Sequence, residues 1–370
     1  MILIDNTAFL KLYNLIYFCT ACLVLASALS AEIKKDTLLQ NKLGQYLVFF
    51  PLISLLFLVG LREYDVGADT VSYFDILWND TFELNFSDGI LFGLIALALR
   101  YLNLGYTYFL LLISFLFYTI SYQALKNYTD KFESNILITF FACMSFFFYL
   151  SMSINVIRQG VSLALLLFAY SLLLRKKNNI GILFCIILAL AFHLTSIIPI
   201  IIFITSFIIS RIRVLNLLIL IYLFMVVLSY FNYGFLNYSS VFLDFLGDDR
   251  HASYFSDEVS DYSVGFRPQF VIFNTFFLLI FLYVKNKLTD IYLLQQYEIL
   301  ISYYIIASAV FFMAFQLPFS DRWGLFSWCV IPLLISPLFY SPFVKEKIKI
   351  HYVLMLILIY IGFYFYDKSI

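Results

Sequence analysis

The strongest constraint on this chain is the recurrence of long apolar runs. From Leu10–Ser30 to the run that ends at Tyr366, stretches of about seventeen or more nearly uncharged residues recur, each long enough to cross a hydrocarbon core of ~30 Å as a helix. Backbone polar groups in lipid need partners within the protein, so such spans are helical, and the alternating pattern of barrel strands is absent. The chain is 63% hydrophobic and 12% charged over 370 residues, which excludes an ordinary soluble domain. These features predict an all-α polytopic integral membrane protein with about 12 transmembrane helices. Spans are expected near 12–30, 43–61, 105–125, 135–152, 157–174, 180–193, 195–210, 213–230, 269–285, 297–315, 323–340 and 350–366. Leu10–Ser30 runs into Lys34 and Lys35 and reads as a retained first span rather than a cleaved signal. Without linkers, low-complexity tracts or internal repeats, residues 1–370 read as a single transmembrane domain.

Charge distribution sets the expected topology. Asn179–Ser210 could form one long helix, but Arg175–Lys177 and Arg211–Arg213 flank it at both ends. A turn at Phe192–Thr195, with Pro199 just beyond, puts all the basic clusters on one face: Lys34–Lys35, Arg175–Lys177, Arg211–Arg213, Lys285–Lys287 and Lys345–Lys349. That face is cytoplasmic, and both termini lie outside. Two long segments, 62–104 and 231–268, then belong to the outer face. Within the first, Gly89–Leu104 is too short for a span, carries Arg100, and reads as an interfacial or re-entrant helix. Cys19 and Cys22 form a C-x-x-C inside an apolar run and read as two small apolar residues on one helix face.

Chemistry is expected where polar residues gather at the mouths of spans. Gly60–Tyr73, GLREYDVGADTVSY, packs Arg62, Asp65, Asp69, Thr70 and Tyr73 directly behind an apolar run. Four further arginines sit at span mouths on the same outer face: Arg158, Arg250, Arg267 and Arg322. Lysine is nearly absent there, only Lys11 and Lys368 near the termini. A planar guanidinium holds phosphate or carboxylate through two parallel hydrogen bonds, whereas an ammonium acts as a point charge. One such arginine alone reads as an interfacial anchor or as the partner of a nearby aspartate. Five on one face point to a shared anionic site, although Asp248, Asp249 and Asp321 stand beside Arg250 and Arg322. Tyr254 lies near Arg250, and Gln159 follows Arg158. His193, at the expected outer turn, is either a hydrogen-bonded cap or a group that moves a proton or touches substrate. Asp69 is either a base or the ion-pair partner of Arg62. No metal-binding spacing, phosphate-binding P-loop or nucleophile elbow occurs, so no metal or cofactor is expected. The short inner loops leave no room for a domain that binds a nucleotide sugar.

GLREYDVGADTVSY resembles the G-[LI]-R-x-x-x-V-G-x-D-T-x-x-Y stretch of bacterial exopolysaccharide polymerases, the EpsG-like branch of the Wzy-type group. NVIRQGVSLAL, from Asn155, resembles their N-x-[IV]-R-Q-G-[IL]-A element, with Ser162 where alanine is usual. AFHLTSII, around His193, and DRWGLF, from Asp321, resemble two later elements in the same order. Ala68 departs from the more frequent threonine.

The resemblance implies a membrane glycosyltransferase with a GT-C-like fold that joins oligosaccharide repeat units carried on undecaprenyl diphosphate. The reaction takes place at the outer face of the bacterial inner membrane. Arg62, Arg158, Gln159, Arg250, Tyr254, Arg267 and Arg322 are the expected substrate-binding residues, and Asp69 and His193 the expected catalytic ones. The implied partners are the lipid-linked oligosaccharide, membrane lipid and a chain-length regulator protein, with no nucleic acid. Two rivals fit a similar composition: a flippase for the same lipid-linked sugar, and an O-antigen ligase-like transferase. A flippase predicts charges deep in its spans and paired repeats, whereas these charges cluster at span mouths.

Overall fold

The computed structural model describes residues 3–34, 37–78, 89–176, 179–212, 214–234, 264–345 and 350–366. Arg250 and Tyr254, and much of the expected outer segment 231–268, lie outside the described residues. No β-strand forms among the described residues, and the protein is an all-helical polytopic membrane protein.

In chain order the helices are α1 (Asn6–Lys34), α2 (Thr37–Leu47), α3 (Phe49–Gly60), α4 (Ala68–Leu77), α5 (Ile90–Tyr101), α6 (Tyr106–Phe132), α7 (Ile136–Ser145), α8 (Phe147–Ile154) and α9 (Ile157–Leu174). They continue as α10 (Asn179–Phe192), α11 (Ile197–Ile212), α12 (Leu215–Tyr230), α13 (Pro268–Lys287), α14 (Ile291–Met313), α15 (Asp321–Trp328), α16 (Ile331–Ile335) and α17 (Ile350–Tyr366). Among the described residues seven helical stretches are long and apolar enough to cross a membrane, or eight if α7 and α8 form one broken span. Helices α5, α10, α12 and α17 are apolar but shorter. The 14 residues of α10 rise only roughly 21 Å, less than a hydrocarbon core.

Two expected spans are interrupted, and the backbone shows how. Across 135–152, α7 and α8 meet at a bend of 78°. Phe146 between them takes an extended conformation, and its N–H turns back to Cys143 O, so the helical ladder stops there. Across 323–340, α15 gives way to the five-residue α16 and then to a single tight turn at Ser336–Leu338. Pro332 and Pro337 lie in this stretch, and each removes the backbone donor that a continuous helix needs. Pro51, by contrast, sits in the first turn of α3, where a missing N–H costs little, and it marks the break from α2 at Val48.

The helices group into two compact units, Met1–Ser196 with Ile335–Ile370, and Ile197–Leu334. In the first unit α6 packs on α9 and α3, and α10 packs on α9. Buried hydroxyl groups fasten its C-terminal part. Ser336 Oγ meets Ser134 Oγ at 2.6 Å and accepts from Thr139 at 3.1 Å, and Asn135 N–H donates to Phe339 O. Asn135 also caps α7, accepting from Ile138 N–H at 3.2 Å. In the second unit α14 is the central helix, contacting α11, α12, α13 and α15. Peripheral α11 leaves Ile201, Ile204 and Ile208 exposed, as a lipid-facing row should be.

Tyr17, fully buried in α1, joins three elements of the first unit. Its hydroxyl lies 2.9 Å from Ser145 Oγ and donates to Leu358 O at 3.0 Å. Tyr17→Phe removes both contacts without changing shape. It is expected to destabilise the detergent-solubilised protein by about 1 kcal/mol, read as a lower melting temperature by fluorescence-detected size exclusion.

Candidate functional site

The first unit builds its polar centre on Arg62. This side chain is 1% exposed and reaches inward. Its Nε donates to Val66 O at 3.1 Å, one terminal nitrogen to Val59 O at 2.5 Å, and the other to Thr70 Oγ1 and Ile154 O, each at 3.4 Å. Val59 lies in the last turn of α3, and Ile154 ends α8. Carbonyls at helix C-termini lack partners and carry partial negative charge, so a guanidinium is the natural cap for both. Burial pushes the Arg62 pKa down to about 10, and the group stays charged at neutral pH. The N-terminal strand-like residues close the other side: Ile4 N–H bonds Leu61 O, and Glu63 N–H bonds Ile4 O.

Other contacts tie Gly60–Tyr73 to the loop before α9. Thr70 Oγ1 donates to Ile154 O at 2.6 Å, and Asn155 Oδ1 accepts from Ala68 N–H at 2.9 Å. Gly67 has φ +107 and lies so close to Ile154 O that a side chain there would collide with backbone. Gly160 is equally confined, against the Met152 carbonyl. Thus the first two motifs fold as one structure. Arg62 is its inner clamp, and among the described residues its partners are carbonyl oxygens and the Thr70 hydroxyl. In this arrangement Arg62 braces the ends of α3 and α8. Asp69 stands half-buried in the first turn of α4.

Arg158, half-buried in the first turn of α9, is the arginine this clamp positions. Its guanidinium carbon lies 5.2 Å from the centre of the Tyr73 ring and 5.8 Å from that of Phe92. Those two rings meet edge-on at 5.4 Å. The π faces support the cation. Gln159 beside it is buried.

His193 joins the same unit through α9. Ser162 lies one turn after Arg158; its hydroxyl donates to Ala189 O at 3.0 Å and makes a short contact with Ser196 Oγ. Ala189 O also accepts from His193 N–H at 3.1 Å, and Ser196 N–H returns to His193 O at 3.0 Å. The break between α10 and α11 therefore falls where the sequence places its turn, stapled to α9 by a serine that departs from the family pattern. Gly89, with φ +88, brings the start of α5 against the Phe192 carbonyl. Asn155, Phe92 and Ser162 escaped the sequence reading as site residues. The glycines at 67, 89 and 160 were the visible signal of close backbone approach.

The second unit holds Arg267 and Arg322. Arg267 precedes Pro268 at the start of α13, its guanidinium carbon 5.9 Å from the Phe270 ring. Arg322 lies over Phe319 at 4.9 Å, in a turn where Phe319 has φ +55. Asp321, half-buried at the start of α15, has its carboxyl pKa raised by burial; Arg322, local backbone N–H groups and Arg267 pull it partly back. Arg250 and Tyr254 lie outside the described residues.

A test separates clamp from contact. Arg62→Lys keeps the charge but loses the planar fork, and is expected to lower stability by about 2–3 kcal/mol, seen as reduced folded protein in membranes. The KM for substrate in the surviving fraction should stay within about twofold of wild type. A large rise in KM at unchanged stability would return Arg62 to the binding site.

Comparison with known families gives a match to the EpsG family over residues 45–368. No curated protein and no solved structure matches the chain. The match covers most of the chain and all four motif stretches, so the chain belongs to the EpsG family, a family of Wzy-like polysaccharide polymerases.

Proposed function

We propose that this protein polymerises oligosaccharide repeat units carried on undecaprenyl diphosphate, at the outer face of a bacterial inner membrane. The acceptor hydroxyl of the incoming unit attacks the anomeric carbon of the growing chain. A new carbon–oxygen glycosidic bond forms, and the bond from that carbon to the diphosphate oxygen breaks. The electron pair leaves with undecaprenyl diphosphate, and the hydroxyl proton passes to a base, Asp69 or His193. Charge grows on the diphosphate as the bond breaks, and fixed guanidinium groups stabilise it there. Arg158, Arg267 and Arg322 take this role, with Arg250, Tyr254 and Gln159 as further substrate contacts. A chain-length regulator protein is the protein partner this reading carries.

The observation that carries the reading is Arg158: an arginine in the most specific family motif, held over the Tyr73 and Phe92 rings by a clamp built from the other motif.

A deletion strain that keeps a single repeat unit on the lipid anchor and loses long polymer supports polymerisation. Loss of all glycan transfer points to a ligase, and absence of the lipid-linked unit from the outer leaflet points to a flippase. In vesicles supplied with lipid-linked repeat units, Arg158→Ala and Arg267→Ala should each slow chain growth at least roughly 100-fold, with the protein inserted normally. Full activity in both variants removes the diphosphate-stabilising role.

A further inference from the structure

Arg267 and Asp321 stand at the starts of two helices, and the structure ties those helices together two turns further on. Asn274 lies seven positions after Arg267, and Trp328 seven after Asp321. Asp321 and Trp328 share a face of α15, while Arg267 is the extended cap residue just before α13. The Trp328 indole N–H donates to Asn274 Oδ1 at 2.7 Å, fully buried, and so joins α13 to α15. Asn274 is itself held from several sides. Its Nδ2 donates to Ser308 Oγ at 3.0 Å and reaches Ser327 Oγ at 3.5 Å, and its carbonyl accepts from the Tyr304 hydroxyl at 2.9 Å. Phe270 neighbours both, its ring 5.2 Å from that of Trp328 and 5.9 Å from the Arg267 guanidinium carbon. Trp328 folds back over Gly324, where an added methyl would come within 2.6 Å of the indole.

We propose that Asn274, Trp328 and Gly324 are positioning residues: the indole–amide bond fixes the register of α13 against α15 and so sets where Arg267 stands relative to Asp321 and Arg322. The inference rests on reading Arg267 and Arg322 as groups that stabilise the departing diphosphate. An apolar pair could fill the same interior without the cost of burying an amide and an N–H. What the polar pair adds is direction, because its bond is made in one register only. Arg267 needs that direction, since stabilisation of a transition state falls steeply when a group is displaced by an ångström. The glycine of the DRWG stretch is then explained by the tryptophan four residues later, which needs the space above it.

Trp328→Phe removes the N–H donor and keeps an aromatic ring in place. In vesicles supplied with lipid-linked repeat units it should lower kcat for chain growth about tenfold or more, while KM stays within about twofold. Register is read separately by cross-linking. With the five native cysteines replaced by alanine, an Arg267→Cys, Asp321→Cys pair should join through a short bis-maleimide, and adding Trp328→Phe or Asn274→Leu should cut the yield severalfold. Because Asn274→Leu leaves the indole N–H unpaired and can prevent folding, Trp328→Phe carries the test by itself. Unchanged cross-linking, or unchanged kcat in well-inserted Trp328→Phe, overturns the proposal. If the yield falls as expected while Arg267→Ala polymerises normally, the register stands and the diphosphate reading is what fails.

Discussion

The first unit depends on one buried cation between two helix ends. Helices α3 and α8 both finish beside Arg62, and each brings carbonyl oxygens with no helical partner. Two such ends facing each other in an apolar interior would repel, and neither could be solvated. A single guanidinium resolves both, because its donors fan out in a plane and its charge opposes both dipoles. Thr70 adds a hydroxyl to the same Ile154 carbonyl, and Asn155 turns outward to hold the start of α4. The loop before α9 is fixed as a result, and with it the direction in which Arg158 leaves its helix. Arg62 spends its donors on the protein, and Arg158 rests on aromatic faces.

The same division of labour recurs in the second unit with different materials. There the anchoring bond joins an indole and an amide, and Arg267 lies over a phenylalanine packed against that indole. In both units an arginine lies over an aromatic ring, which supports the cation through its π face.

Much of this was legible in the residues. Apolar runs announced helices and membrane, and Gly60–Tyr73 and Asn155–Ser162 announced a polar centre. The role of Arg62 was not legible. Its donors would satisfy a phosphate or a pair of carbonyls equally well, and the decision rests on Ile154 O, freed only because α8 stops before Asn155. Not every apolar run folds as one unbroken helix, for a related reason. Hydropathy registers how apolar 323–340 is, whereas Pro332 and Pro337 decide that its backbone cannot run on as one helix. His193 was placed correctly at a break in helix because the basic flanks on both sides demanded one.

The hydroxyl cluster of Ser134, Thr139 and Ser336 carries a consequence for how the protein is made. Its two halves are separated in the chain by the whole of residues 197–334, which form the other unit. During synthesis α6 and α7 are made before residues 197–334, and Ser336 only after them. Closure of the first unit therefore waits until the whole of the second has been synthesised. A ribosome that stalls within the second unit leaves the first one open, however completely its own helices have been inserted.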